Sequence, residues 1–506
     1  MNWLITDVDK NKALLDQLDE DILSHFADFF IIFFGTWTLI HQASYFAGLT
    51  FKESWNISIF AAPVVAIIFK MYSLGNKWRP LRLQNDYPIV LAILVGTLFS
   101  ITLHRPDADD QVYLAHSLLA LDFASEKMNS LPGINTGYAL TSYDFIRAAF
   151  SFYTGTPILY SFYAVFPAII ATILVIFQWR IIKILPIKHS AFALLVFFII
   201  MLAWGDVHRS PANLGFVKLF QGKGGLVWVA IPAMIFYWLQ YEMYRRLSSL
   251  VLLFFSSICA IGFSPTGIPI DFLMIVLFSI IHFYMGQHEK RFKLLIIMSV
   301  VIVTLLVISG TLITNYFGYH NNGVHSSVGV RQLTKFRDYL INWEMMNFVL
   351  GKSNRIWLVL VAVLASPFIL SKSISAKYLS AYILGCIAIA IFPASSALLA
   401  LFSTGSFAWR WLFITPFVLC VMIFVDSILC LRISSGLKKG LALVYLAIFI
   451  ISGPLIISES NHTKFSSSFH QLPDEKKIQL IPFPYGGNIT KLEGSRILSL
   501  KDGRPL

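Results

Sequence analysis

Three observations predict an all-α polytopic membrane protein. Hydrophobic residues fill 57% of the 506 positions and charged residues only 13%, with a mean hydropathy of +0.71. Apolar stretches long enough to cross roughly 30 Å of hydrocarbon recur about thirteen times. The short connections between them alternate between basic and nearly uncharged, as in a chain threading back and forth through a bilayer. With 44 Phe and 12 Trp the composition fits no soluble domain. The run lengths select helices over a barrel, whose strands need only about ten residues per crossing.

Residues 1–24 are polar and acidic, with Asp16, Asp19, Glu20 and Asp21. They predict no cleavable signal peptide and a cytoplasmic N-terminal segment, so the first span acts as the insertion signal. Spans are expected near 25–48, 56–75, 87–103, 157–178, 190–205, 225–242, 247–263, 268–286, 293–313, 355–371, 378–402, 408–430 and 438–457. Together they make a transmembrane domain over 25–457. The tail 458–506, with Pro473, Pro482, Pro484, Gly486 and Gly487, reads as a small appendage without the alternation of an independent domain. No internal repeat or low-complexity tract stands out.

Orientation follows from charge. Alternate connections hold Lys70, Lys77, Arg79 and Arg82, then Arg180, Lys183 and Lys188, then Arg245 and Arg246, then Lys290, Arg291 and Lys293, then Lys372 and Lys377, then Arg432, Lys438 and Lys439. The short loops of the other side, 49–55 and 264–268, hold one basic residue, Lys52. The positive-inside rule places the basic set in the cytoplasm and the C-terminus outside. The net charge of +12 is accounted for by these loops, which removes the reason to read nucleic-acid binding into it. Cys259, Cys386, Cys420 and Cys430 all lie in apolar runs, predicting neither a disulfide framework nor a zinc site.

Every long polar connection then becomes exoplasmic: 104–156, 206–224, 314–354 and the tail. Asp107, Asp109 and Asp110 open the first of these. Three carboxylates in four positions at a membrane edge are costly to dehydrate and repel one another. One of them suits a helix N-cap and others complement a helix dipole; the cluster also suits a general base, a cation site or both. A Mg or Mn ion on Asp107 and Asp109 is compatible with it, and two aspartates leave that open. Val112, Ala115, Leu118, Leu119 and Phe123 follow at helical spacing, with His116, Asp122 and Glu126 off the stripe, predicting a helix along the membrane surface.

Arg209, Lys218 and Lys223 lie in the second outer loop, Lys223 between Gly222, Gly224 and Gly225. Glycines let backbone N–H groups approach an anion, and these cations suit a phosphate; a flexible turn with a snorkelling lysine gives the same pattern. The spacing is not that of a nucleotide P-loop. Arg410, between Trp409 and Trp411, reads as an interface anchor or as an arginine facing a lipid phosphate. In 314–354, His320, His325, Arg331, Lys335 and Arg337 accompany Leu333, Phe336, Leu340, Trp343 and Asn347, which suggest a further interfacial helix. Tyr143, Asp144 and Arg147 are weaker candidates. His41 and His282 read as isolated packing residues.

An acidic exoplasmic loop, then a surface helix and many spans, resembles the GT-C superfamily of integral-membrane glycosyltransferases. The pairing of Asp-Ala-Asp-Asp-Gln-Val-Tyr (107–113) with Gln-Gly-Lys-Gly (221–224) is similar to that in poorly characterised bacterial multipass proteins of this type. The resemblance covers the architecture of most of the chain, but its specific match is confined to those stretches. Three spans precede the acidic loop here, where the usual pattern has one. The resemblance implies a bacterial inner-membrane enzyme that moves a sugar from a polyprenyl-phosphate carrier to an exoplasmic glycan or lipid acceptor. It implies Asp109 or Asp110 as catalytic base with Asp107 in support, and Lys223, Arg209, Lys218 and Arg410 on the donor phosphate. Tyr113, His116, His208, Gly222 and Gly224 would line the substrate. A lipid-linked glycan polymerase or ligase, and a lipid or solute transporter or flippase, are the competing expectations. Transport ranks lower because few ionisable residues fall within the spans.

Overall fold

A computed structural model describes residues 22–74, 83–105, 109–130, 137–285, 343–370, 373–391 and 405–465. The described residues are mainly helical. In chain order the principal helices are α1 (Ile22–Ala47), α2 (Phe51–Leu74), α3 (Leu83–Thr102), α4 (Asp109–Asp122), α5 (Tyr143–Thr154), α6 (Ile158–Ile184) and α7 (Ser190–Ala203). They continue with α8 (Gly222–Tyr244), α9 (Leu247–Phe263), α10 (Gly267–Tyr284), α11 (Trp343–Leu350), α12 (Arg355–Ile369), α13 (Ile374–Ile391), α14 (Phe417–Leu429) and α15 (Ser435–Ile451). A 3-10 stretch, Gly405–Ile414, leads into α14.

Seven helical segments are long and apolar enough to cross a bilayer: α1, Phe51–Tyr72 of α2, α6, α8, α10, α13 and Trp409–Leu429. This is fewer than the thirteen spans expected. The crossings expected at 87–103, 190–205, 247–263, 355–371 and 438–457 form helices of 14 to 20 residues, while 293–313 lies outside the described residues. α2 turns Phe60, Ile68, Met71 and Tyr72 outward, and α12 turns out Phe368. Such a belt suits helices surrounded by hydrocarbon, where apolar exposure carries no penalty.

The bundle has two chemically different ends. At one, β1 (Leu103–His104) pairs antiparallel with β2 (Lys464–Phe465), and Arg105 Nε donates to the Asn461 carbonyl at 2.7 Å. Asn461 and Asn213 exchange side-chain amide hydrogen bonds of 2.8 and 2.9 Å. The Ser142 amide donates to Gly262 O at 2.9 Å, and Thr50 bridges Lys127. The described parts of 104–156, 206–224 and the tail therefore gather at this end, and Leu350 joins them by accepting from Trp204 Nε1 at 2.8 Å. At the other end Lys70 and Arg180 meet on Asp28, Arg245 reaches Glu242, and Ser375 Oγ donates to Ile184 O. The described basic residues Lys70, Arg180 and Arg245 thus lie at the end opposite the described polar loops. Of the tail, 458–465 is tied to the loop-bearing end; 466–506 lies outside the described residues.

The basic end is held by buried charge. Asp28 accepts from Lys70 Nζ (2.8 Å), Arg180 Nη1 (2.7 Å) and Tyr237 Oη (2.6 Å). Helices α1, α2, α6 and α8 thereby converge on one carboxylate. His282 is not isolated, as the sequence suggested: its Nδ1 lies 2.7 Å from Glu242 Oε1, with Arg245 on the other oxygen at 3.0 Å. Charges this deep are tolerated because each meets an opposite partner.

Candidate functional site

The acid cluster starts a helix, as its composition requires. α4 begins at Asp109, whose side chain, with all of Asp107, lies outside the described residues. Asp110 is 1% exposed, and Gln221 Nε2 donates to its Oδ1 at 2.5 Å. One turn further on, the Lys223 ammonium lies 5.9 Å from the Tyr113 ring. Two loops more than a hundred residues apart in sequence therefore meet as carboxylate, amide, phenol and ammonium.

α4 is more deeply set than a surface helix. Tyr113, Leu114, Ala115, Leu118, Leu119 and Ala120 are all buried, and so is His116, which the apolar stripe left on the outer side. The reason is a second layer, α5, packed on the face expected to meet solvent. Ser117 Oγ donates to Asp144 O at 2.9 Å, and His116 Nδ1 lies 3.5 Å from Asp144 Oδ2. The Tyr138 ring covers His116 with centroids 5.1 Å apart.

α5 also fixes the turn that carries Gln221. Arg147, fully buried, pairs with Asp144 and donates through Nη1 to Phe220 O at 2.6 Å. Its guanidinium lies between the Tyr143 and Phe162 rings at 4.4 and 3.9 Å. Tyr143 Oη donates to Leu219 O at 2.9 Å. Burial pushes that hydroxyl above the usual phenol range, so it stays a donor. Tyr143, Asp144 and Arg147, weak candidates in the sequence, thus anchor residues 219–221 and with them the Gln221–Asp110 contact. Their helical spacing at i, i+1 and i+4 was visible; their target was not.

His104 closes the site from β1. Pro167 has no N–H to return along α6, which leaves the Tyr163 carbonyl open; His104 Nε2 takes it at 3.2 Å and is therefore the protonated nitrogen. Burial lowers the His104 pKa to about 4, so the ring is neutral at physiological pH. α6 carries a π-helical turn over Ser161–Val165 beside this contact, and α8 carries another over Leu226–Ala230.

The glycines beside Lys223 serve packing. A Cβ on Gly222 would stand 1.8 Å from Phe263 O, and one on Gly225 would stand 2.4 Å from the Phe263 ring. A Cβ on Gly224 would stand 2.9 and 2.8 Å from the carbonyl oxygens of Leu214 and Lys218. Their missing side chains let α8 and the 206–221 loop close on α9, and the space is filled by protein. Lys218 is buried in a short 3-10 turn of that loop.

The remaining cations form a second group. Arg209 lies over Phe348 at 3.8 Å and Trp409 at 5.2 Å, and Arg410 lies 5.3 Å from the same indole. Arg410 Nη1 donates to Thr266 Oγ1 at 2.5 Å. His208, part-exposed, precedes Arg209. Asp206 instead forms a buried ion pair with Arg355, whose other N–H groups reach the carbonyls of Phe449, Ile450, Gly453 and Pro454. His320, His325, Arg331, Lys335 and Arg337 lie outside the described residues; of the interfacial helix expected there, Trp343–Leu350 is observed.

Compared with known protein families, with curated proteins and with solved structures, the chain matches none.

Proposed function

We propose that the chain is a membrane glycosyltransferase that moves a sugar from a polyprenyl-phosphate carrier to an exoplasmic glycan or lipid acceptor. The observation that carries this reading is the Asp110–Gln221 hydrogen bond, which puts a carboxylate next to the segment bearing Lys223. The carboxylate of Asp110 or Asp109 takes the proton of the acceptor hydroxyl, and the acceptor oxygen bonds to C1 of the sugar. The bond from C1 to the phosphate oxygen breaks, and its electron pair leaves with the lipid phosphate. Lys223 answers that developing charge, and Arg209 and Arg410, grouped around Trp409, face the carrier's head group. A fixed cation where charge appears is the largest single contribution such a site can make. Asp107 supports the pair.

The test uses the purified full-length protein in liposomes containing a polyprenyl-phosphate sugar and a glycan acceptor. Transfer should be lost in the double variant Asp109→Asn/Asp110→Asn while the protein remains folded. Lys223→Gln should raise the apparent KM for the donor by ~10-fold or more, the scale of one lost charge-assisted hydrogen bond. Full turnover by the double variant would defeat the assignment.

A specific observation favours transport as the second reading. Asp271 of α10 is a carboxylate within a candidate span and only 1% exposed. Intramembrane carboxylates of this kind suit coupled transport. Solute or lipid movement without consumption of the donor would select it.

A further inference from the structure

Three of the four cysteines are fully enclosed, but Cys430 is partly exposed at the basic end. It lies one helical turn beyond Asp426, so both project from one face of α14 and its C-terminal cap. His189 stands across from them, immediately before α7. The Asp426 carboxylate accepts the backbone amides of Lys188 at 3.2 Å and His189 at 3.0 Å. His189 Nδ1 lies 2.9 Å from Asp426 Oδ1, and Cys430 Sγ lies 3.9 Å from Oδ2. One nitrogen, one oxygen and one sulfur therefore fall within 4.8 Å of one another, drawn from two helices and already oriented.

We propose that His189, Asp426 and Cys430 form a binding site for a zinc-type divalent cation that pins the start of α7 to the end of α14. Imidazole, carboxylate and thiolate are the ligand set zinc accepts, at about 2.0–2.3 Å, whereas Mg and Ca take oxygen. Small side-chain rotations bring the three atoms onto one ion, with the fourth position left to water on the side where His189 is 45% exposed. The two backbone amides stay on Asp426 and hold the carboxylate in place, as outer-shell donors do. A thiolate and a carboxylate together neutralise the ion's charge, which matters beside Lys188 and Lys438. The metal takes the thiolate and so displaces the Cys430 proton on binding. This departs from the sequence expectation, which placed Cys430 inside an apolar run. The site is at the opposite end of the bundle from Asp110, so it stands or falls independently of the proposed sugar transfer.

Alkylation of the unaltered full-length protein in detergent provides the first test, because Cys430 is its one thiol not fully buried. Saturating zinc should slow labelling of Cys430 at least about tenfold, and His189→Gln should weaken that protection by a similar factor. Cobalt in place of zinc should give a thiolate-to-metal charge-transfer band that disappears in Cys430→Ser. Labelling that proceeds unchanged in saturating zinc, or a cobalt band that survives Cys430→Ser, would overturn the proposal.

Discussion

Gln221 donates to Asp110 across 2.5 Å, joining the first long polar connection to the second through two buried side chains. The amide fixes the carboxylate's rotamer, while Tyr143 and Arg147 fix the turn that presents the amide. If Asp110 is the base, this contact positions it. Asp110→Asn should lower the rate of sugar transfer by about 10²–10⁴-fold, the usual contribution of a general base. Gln221→Leu should give a smaller loss, expressed mainly in kcat. Equal, small losses for both would reduce Asp110 to a packing residue. Transfer from radiolabelled lipid donor, with size-exclusion elution as the folding control, separates these outcomes.

Arg355 is a structural fastener. It meets Asp206 and four carbonyls from the end of α15 onward, and is itself 0% exposed. Arg355→Met leaves Asp206 buried and unpaired and should cost about 3–5 kcal/mol. Pairing it with Asp206→Asn should restore part of that. Thermal unfolding in detergent reads both; an additive double variant would mean that the two residues do not interact.

Stability should fall in acid through His104. Its pKa is about 4 when folded and 6.5 when free, so the folded chain binds fewer protons between those values. The contribution is fully present above about pH 6.5 and is lost as pH drops toward 4, by up to about 1.4 kcal/mol per unit. His104→Gln keeps a donor for the Tyr163 carbonyl without titrating. Its Tm should change less between pH 7 and pH 4.5 than that of the native protein; parallel losses would exclude His104 as the source.

Gly222 and Gly436 provide a matched pair of substitutions. A Cβ on Gly222 collides with the Phe263 carbonyl, whereas one on Gly436 in α15 meets nothing within 4 Å. Gly222→Ala should destabilise by at least about 1–3 kcal/mol, and Gly436→Ala should be neutral or stabilising by up to about 1 kcal/mol. Proteolysis half-lives in detergent rank the two. Tolerance of alanine at 222 would show that α8 can shift away from α9, leaving room for a ligand near Lys223.

The amino-acid sequence alone determined that this is a helical membrane protein with two unlike ends. Run length and charge alternation are local properties, and hydrocarbon imposes them on any chain that spans it. Helices such as Ile22–Ala47 and Gly267–Tyr284 fall where the apolar runs lie, and the described Lys70, Arg180 and Arg245 sit at the end away from Asp110. Tertiary packing decided the rest. Nothing in residues 107–113 says that Gln221 meets Asp110, that Glu242 receives His282, or that Cys430 faces His189. Each is a contact between helices distant in sequence, and apolar faces of similar composition do not record which partner they choose. The same holds for Gly222, whose part in closing α8 onto α9 depends on one carbonyl of another helix.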